Sequence, residues 1–130
     1  MNAHDRKRGF TMVEMMAVIF IIGLLMATVT VAVLKHLERA RKTTTGASMM
    51  KIKEAVQMYK MYKGRYPDSL SVLVPEYIEE ESKLKDGWKN DFYYSVPGDH
   101  GEFDLISGGS DGDINTPDDN VNVWKMDDIN

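Results

Sequence analysis

Five oxygen-bearing side chains stand within nine residues near the end of this 130-residue chain: Asp111, Asp113, Asn115, Asp118 and Asp119. Glycines crowd the same stretch, in Ser107-Gly108-Gly109-Ser110-Asp111-Gly112. Calcium takes roughly six to eight oxygen ligands from carboxylates, amides, backbone carbonyls and water, and glycine lets a backbone wrap closely around an ion. Without a cation, the mutual repulsion of these carboxylates disfavours a compact loop. The stretch reads as a cation loop, against the blander reading of a solvated acidic surface. Asp111-x-Asp113-x-Asn115 matches the opening of an EF-hand loop, but the sixth position is Thr116 rather than Gly and the twelfth is Asn122 rather than Glu. A complete EF-hand is therefore rejected. No catalytic arrangement is visible. His4, His36 and His100 are scattered, and there is no cysteine, which excludes a disulfide framework, thiol catalysis and thiolate zinc.

The second chemical feature is Glu14. It opens an apolar run whose next 20 residues, Met15 to Leu34, carry no charge. About 20 such residues at about 1.5 Å each cross a hydrocarbon core of about 30 Å. A carboxylate inside that run costs roughly 2.5–3.5 kcal/mol at the bilayer centre and less near its edge. Glu14 therefore either snorkels to the interface or awaits a cationic partner. Arg6, Lys7 and Arg8 precede the run and hold the leader in the cytoplasm by the positive-inside bias. Lys35, Arg39, Arg41 and Lys42 follow it and weaken that asymmetry. A cleaved secretory signal is disfavoured, because the run exceeds about 15 residues and shows no Ala-x-Ala exit.

Arg8-Gly9-Phe10-Thr11-Met12-Val13-Glu14-Met15-Met16-Ala17-Val18 resembles the type IV prepilin signature. The resemblance implies that a prepilin peptidase cuts between Gly9 and Phe10 and that the new Phe10 amine is methylated. It also implies that Glu14 serves filament assembly. The physics is compatible: a freed ammonium on Phe10 of a neighbouring subunit supplies the cation that Glu14 lacks. Filament members often carry a proline near the middle of this first helix, where it unwinds on assembly. Here Val31 stands near that position, with Gly23 and the β-branched run Thr28-Val29-Thr30-Val31 nearby.

Beyond the apolar run, Ala47, Met49, Ile52, Ala55, Val56 and Tyr59 recur at three- and four-residue steps, and Tyr62 extends the series. That spacing predicts an amphipathic helix with one buried face. Thr43-Thr44-Thr45-Gly46 is its weak point, a candidate hinge, and the whole helix from Phe10 to Lys63 would be about 80 Å long. Gly64 and Pro67 end it. Asp68 is expected to cap a short helix over 69–74, and Glu79 to Lys83 to be solvated. Asp86-Gly87-Trp88-Lys89-Asn90 and Pro97-Gly98-Asp99-His100-Gly101 read as turns. Strands are predicted at 92–96 and 103–107 from aromatic and β-branched content, with a third at 121–124. The fold class is α+β: a long N-terminal helix, half transmembrane and half amphipathic, on a small antiparallel sheet. The parts are a leader (1–9), a transmembrane helix (10–34), a stem helix (35–63) and a globular region with the acidic loop (64–130).

Charge follows these parts. Residues 1–42 carry a net charge of +4, residues 43–98 carry 0 and residues 99–130 carry −8. An acidic folded part argues against nucleic-acid binding. The stretch from Asp86 to Gly112 resembles the C-terminal half of type II secretion major pseudopilins. That resemblance implies one calcium ion, with Asp111 as the first side-chain ligand and Asp118 or Asp119 as the second. Asp113 is a further candidate, Leu105, Ser107, Ser110 or Val121 would lend backbone carbonyls, and His100 would be structural. It implies a structural subunit of a homo-oligomeric periplasmic pseudopilus, anchored by a single pass in the bacterial inner membrane. Its partners would be minor pseudopilins and an inner-membrane assembly platform. A type IV pilin of a surface pilus is the alternative, weakened because such pilins commonly carry a disulfide loop. A membrane-tethered enzyme is the third reading.

Overall fold

The computed structural model of the chain describes residues 9–126. The leader cations Arg6, Lys7 and Arg8, and His4, lie outside the described residues. The chain divides into two compact units, one ending at Leu37 and the other beginning at Glu38.

In the first unit, helix α1 begins at Met12 and every described residue is exposed. Phe20, Leu25 and Val29 are all more than half exposed. The helix is long and apolar enough to cross a membrane. Thr28 and Thr30 direct their hydroxyls back onto the carbonyls of Leu25 and Met26, at 2.8 and 2.9 Å. Such back-bonding lets a polar side chain sit on an apolar helix without an unpaired donor.

In the second unit, α1 (Met12–Lys63) runs on to its end, where Gly64 takes φ 75° and donates its N–H to the Lys60 carbonyl at 2.8 Å. That left-handed position is the helix stop that glycine makes cheap. The helix buries Met49, Ile52, Ala55, Val56 and Tyr59. The expected stripe is shorter at both ends, because Ala47 and Tyr62 are exposed. The expected hinge at Thr43 to Gly46 is regular helix. There each threonine hydroxyl donates to the carbonyl four residues back, and Thr45 is wholly buried.

Three short strands follow: β1 (Tyr93–Ser95), β2 (Asp104–Ser107) and β3 (Val121–Asn122). They pair antiparallel in the order β1-β2-β3, with Tyr94 opposite Leu105 and Ser107 opposite Val121. All three are shorter than predicted. Pro97 stops β1, and Trp124 turns its N–H onto the Asn122 side chain at 2.9 Å, which ends β3. Phe103, Leu105, Val121 and Val123 meet the buried stripe of α1 in one core. Phe103 is fully buried, with the rings of Tyr66, Tyr94 and Trp124 at 5.6, 5.9 and 5.3 Å. Tyr94 donates its hydroxyl to the Pro67 carbonyl at 2.9 Å, and burial pushes its phenol up to about 12.

One local expectation is corrected. The helix expected over 69–74 is a single 3-10 turn, Leu70–Leu73, capped by Ser69 without a side-chain bond. Asp68 instead faces Arg65 at 3.9 Å on the surface. Glu79 to Lys83 are exposed, as expected, and Glu81 to Lys83 belong to a second 3-10 turn, Glu81–Leu84, whose Leu84 drops into the core.

Candidate functional site

Gly9 and Phe10 lie exposed ahead of α1. Thr11 and Glu14 then close the helix start reciprocally. The Thr11 N–H donates to Glu14 Oε2, and the Glu14 N–H donates to Thr11 Oγ1, both at 3.2 Å. This Thr-x-x-Glu capping box satisfies two of the donors that a helix start leaves unpaired, and the carboxylate sits favourably at the positive end of the helix dipole. Sequence reasoning weighed only snorkelling or a cationic partner for Glu14 and missed the box, although its spacing was legible. Because the box begins at Thr11, a cut after Gly9 leaves it whole.

The acidic loop is hung from a buried carboxylate that the sequence reading passed over. Asp86 Oδ1 accepts the N–H groups of Trp88 and Asn90 at 3.0 and 2.8 Å, and its Oδ2 accepts the Ser107 hydroxyl at 2.7 Å. Ser107 Oγ in turn accepts the Gly109 N–H at 3.2 Å. The chain then doubles back tightly. Gly109 has φ 66°, and a Cβ there would strike the carboxylate of Asp119.

Asp119 bridges the two ends of the loop: its Oδ2 accepts both the N–H and the hydroxyl of Ser110, each at 2.7 Å. The Ser110 hydroxyl, outweighing partial burial and aided by backbone N–H groups, holds the Asp119 carboxyl below its ordinary value. Asp111 accepts the Asp113 N–H at 2.9 Å on one oxygen and the Thr116 hydroxyl at 2.6 Å on the other. Asp113 accepts the N–H and side-chain amide of Asn115 at 2.9 and 2.7 Å, and the N–H lowers its carboxyl most. Asp118 is exposed and has no hydrogen bond among the described residues. Of the two candidates for second aspartate, Asp119 is thus the one the loop holds in place.

Among the described residues no three His, Asp or Glu side chains gather as a metal cluster. A calcium site here would have to combine few carboxylates with main-chain and amide oxygens, a donor set that calcium accepts. One observation fits it: Asn120 Oδ1 is buried and has no partner among the described residues, while Asn120 Nδ2 donates to the Ile114 carbonyl at 2.8 Å. Of the carbonyls expected to contribute, that of Leu105 already accepts the Val123 N–H at 3.1 Å.

A second buried carboxylate, Asp104, organises the turn before β2. It accepts the N–H groups of Asp99 and His100 at 2.9 and 3.1 Å and faces His100 Nδ1 at 3.2 Å. Burial pushes its carboxyl up, but these donors and the His100 ring outweigh it, so the carboxyl lies below its ordinary value. His100 thus has a structural neighbour, as expected.

An apolar helix started by a Thr–Glu box and long enough to cross a membrane, followed by a small helix-on-sheet domain, is the arrangement of the pilin-like class. Its relatives narrow that class to one family. The family model for type II secretion system protein G matches residues 32–126, and the prokaryotic N-terminal methylation motif matches residues 4–30. The type II secretion system core protein G of Escherichia coli is 35% identical, with 97% of each chain covered. That of Pseudomonas aeruginosa is 31% identical, covering 94% of this chain and 96% of the relative. The crystal structure of the major pseudopilin from the type 2 secretion system of enterohaemorrhagic Escherichia coli shares the fold. Its TM-score is 0.63 at 24% identity, over 72% of this chain and 90% of the other. The chain belongs to the type II secretion system protein G family, the major pseudopilins. The relatives are named for secretion rather than for a surface pilus, which decides between those two readings.

Proposed function

We propose that the chain is the structural subunit of a pseudopilus. It would be held by α1 in the bacterial inner membrane, with the domain from Glu38 onward in the periplasm, and would polymerise through its N-terminal helix to support type II secretion. The observation that carries this reading is the whole-length likeness to protein G relatives together with the methylation motif over residues 4–30. In this reading a prepilin peptidase removes residues 1–9, and the Phe10 amine of one subunit meets Glu14 of another. Minor pseudopilins and the assembly platform complete the partners, and the chain's role is mechanical rather than catalytic. The loop from Ser107 to Val121 binds one calcium ion, through Asp111, Asp119 and backbone oxygens of Ser107 and Ser110, with Asp113 at its edge and Asp118 in solvent. The ion supplies the positive charge that lets a net −8 segment stay compact.

The test is expression of the full chain with and without a prepilin peptidase, followed by N-terminal sequencing and cross-linking of membranes. The reading expects a methylated Phe10 terminus and a ladder of cross-linked oligomers only with the peptidase. A chain that still begins at Met1, or is cut beyond Leu25, overturns it.

A further inference from the structure

We infer that Arg39 and Lys42, at the start of the second unit, bind the anionic lipid headgroups of the bilayer that α1 crosses. This rests on the membrane reading above. Four cations, Lys35, Arg39, Arg41 and Lys42, stand within the eight residues that follow Leu34, against one acid, Glu38. The positive-inside bias disfavours such a cluster beyond a span whose basic leader stays in the cytoplasm, and polymerisation through the N-terminal helix gives it no role. Arg39 and Lys42 stand three residues apart on regular helix and so share a face. Arg39 is exposed and Lys42 half-buried. Among the described residues neither is ion-paired: the basic side chains that are belong to Lys60, Arg65, Lys85 and His100. Position favours lipid over water alone as their partner. A polar zone of roughly 5–7 Å separates hydrocarbon from water on each side of a bilayer. Arg39 and Lys42 are five and eight residues past Leu34, about 7.5 and 12 Å along the helix. Their long stems can carry the charge back toward the phosphates. The Arg39 guanidinium matches a phosphate with two parallel N–H donors, and Lys42 adds a point charge. Lipid phosphate is the anion nearest along the chain, and it is there before any second copy arrives. Bound to it, the two cations hold the start of the domain at the membrane surface until the subunit is drawn out for assembly.

The experiment offers the full chain in detergent equal amounts of phosphatidylglycerol and phosphatidylcholine with the same acyl chains. Native mass spectrometry then counts the lipids each chain retains. Wild type should retain the anionic lipid in preference. Each cation near an anionic surface is worth roughly a fivefold preference, so the double variant Arg39→Gln with Lys42→Gln should lose at least that factor. The double variant Arg39→Lys with Lys42→Arg disturbs the same packing but keeps both charges, and should retain the preference. The control is Lys63→Gln with Arg65→Gln, which removes two charges starting about 32 Å further along the helix than Lys42, and it should behave as wild type. The inference is overturned if wild type retains both lipids equally, or if the control loses as much preference as Arg39→Gln with Lys42→Gln, since net charge alone would then be at work. It is overturned too if Arg39→Gln with Lys42→Gln keeps the lipid preference yet gives fewer cross-linked oligomers in membranes, because the cations would then meet a second copy of the chain. A chain that does not float with vesicles of these lipids overturns the membrane reading itself, and flotation of wild type alone reveals that.

Discussion

Thr11 and Glu14 hold each other through two 3.2 Å hydrogen bonds, and this changes what a substitution at Glu14 tests. Glu14→Gln keeps a box, since an amide closes it as a carboxylate does, and removes only the charge. Glu14→Ala removes both. If assembly needs the charge, both variants should be cut after Gly9 yet give few cross-linked oligomers. Thr11→Ala, which loses a cap worth about 1 kcal/mol, should then assemble like wild type, with only faster amide exchange in the first turn. If Glu14→Gln cross-links as well as wild type, the cap is the residue's whole contribution. Asp104 gives the pH counterpart. Its carboxyl lies below the ordinary value of 3.8 in the folded chain. A depressed folded value stabilises above the unfolded value, and that stabilisation is lost as pH falls through the folded one. Melting temperature should therefore drop below about pH 4, and Asp104→Asn should flatten part of that slope, Asp113 and Asp119 keeping the rest. These carboxylates show what the residue types alone revealed. Asp111 and Asp119 were legible because acids and glycines cluster there. Asp86 and Asp104 were not, because an isolated Asp in a turn or strand looks solvated until its N–H donors are in place.

The stem helix was legible as an element, since Met49, Ile52, Val56 and Tyr59 repeat at helical spacing whatever they pack on. Its one buried polar residue was not. Thr45 looked like part of a weak stretch, but its hydroxyl donates to the Arg41 carbonyl at 2.8 Å and accepts the Gly87 N–H at 2.9 Å. A hydroxyl that satisfies the helix and a distant turn together stiffens that stretch instead of loosening it. Gly87 is pressed so close that a Cβ would overlap the Arg41 backbone. Gly87→Ala should cost about 1–3 kcal/mol, the usual penalty of overpacking, read as a lower denaturation midpoint with an unchanged slope. Gly64→Ala at φ 75° meets open space. It should cost only the left-handed strain of about 1–2 kcal/mol. Strand ends were less legible than strands, because a terminus such as Asn122 is set by its bond to the Trp124 N–H. Phe103, ringed by three aromatic side chains, anchors the sheet to the stem. Phe103→Ala should cost about 3–5 kcal/mol, a large part of the stability of so small a domain.

At the scale of the whole chain, charge is sorted from a net +4 over residues 1–42 to a net −8 over residues 99–130. The acidic end can be relieved either by a bound cation or by general screening, and the two differ in what they depend on. Binding that occurs only in the folded state adds RT ln(1 + [L]/Kd), about 2.7 kcal/mol at a hundredfold excess of ion over Kd. For a domain of this size that amounts to a rise in melting temperature on the order of 10 °C. Calcium should produce it for the full chain in detergent, and a chelator should reverse it. Magnesium should substitute poorly, because it demands tight octahedral geometry and gives up its waters reluctantly. Asp111→Ala should abolish the response. Glu80→Ala, in the acidic run beside the second 3-10 turn, should leave it intact, because that run has no glycine turns and no buried amide oxygen. Screening has none of this selectivity: it follows ionic strength. If monovalent salt at matched ionic strength stabilises the chain as much as calcium does, the loop acts only through its net charge. In that case Asp111→Ala and Glu80→Ala should respond alike.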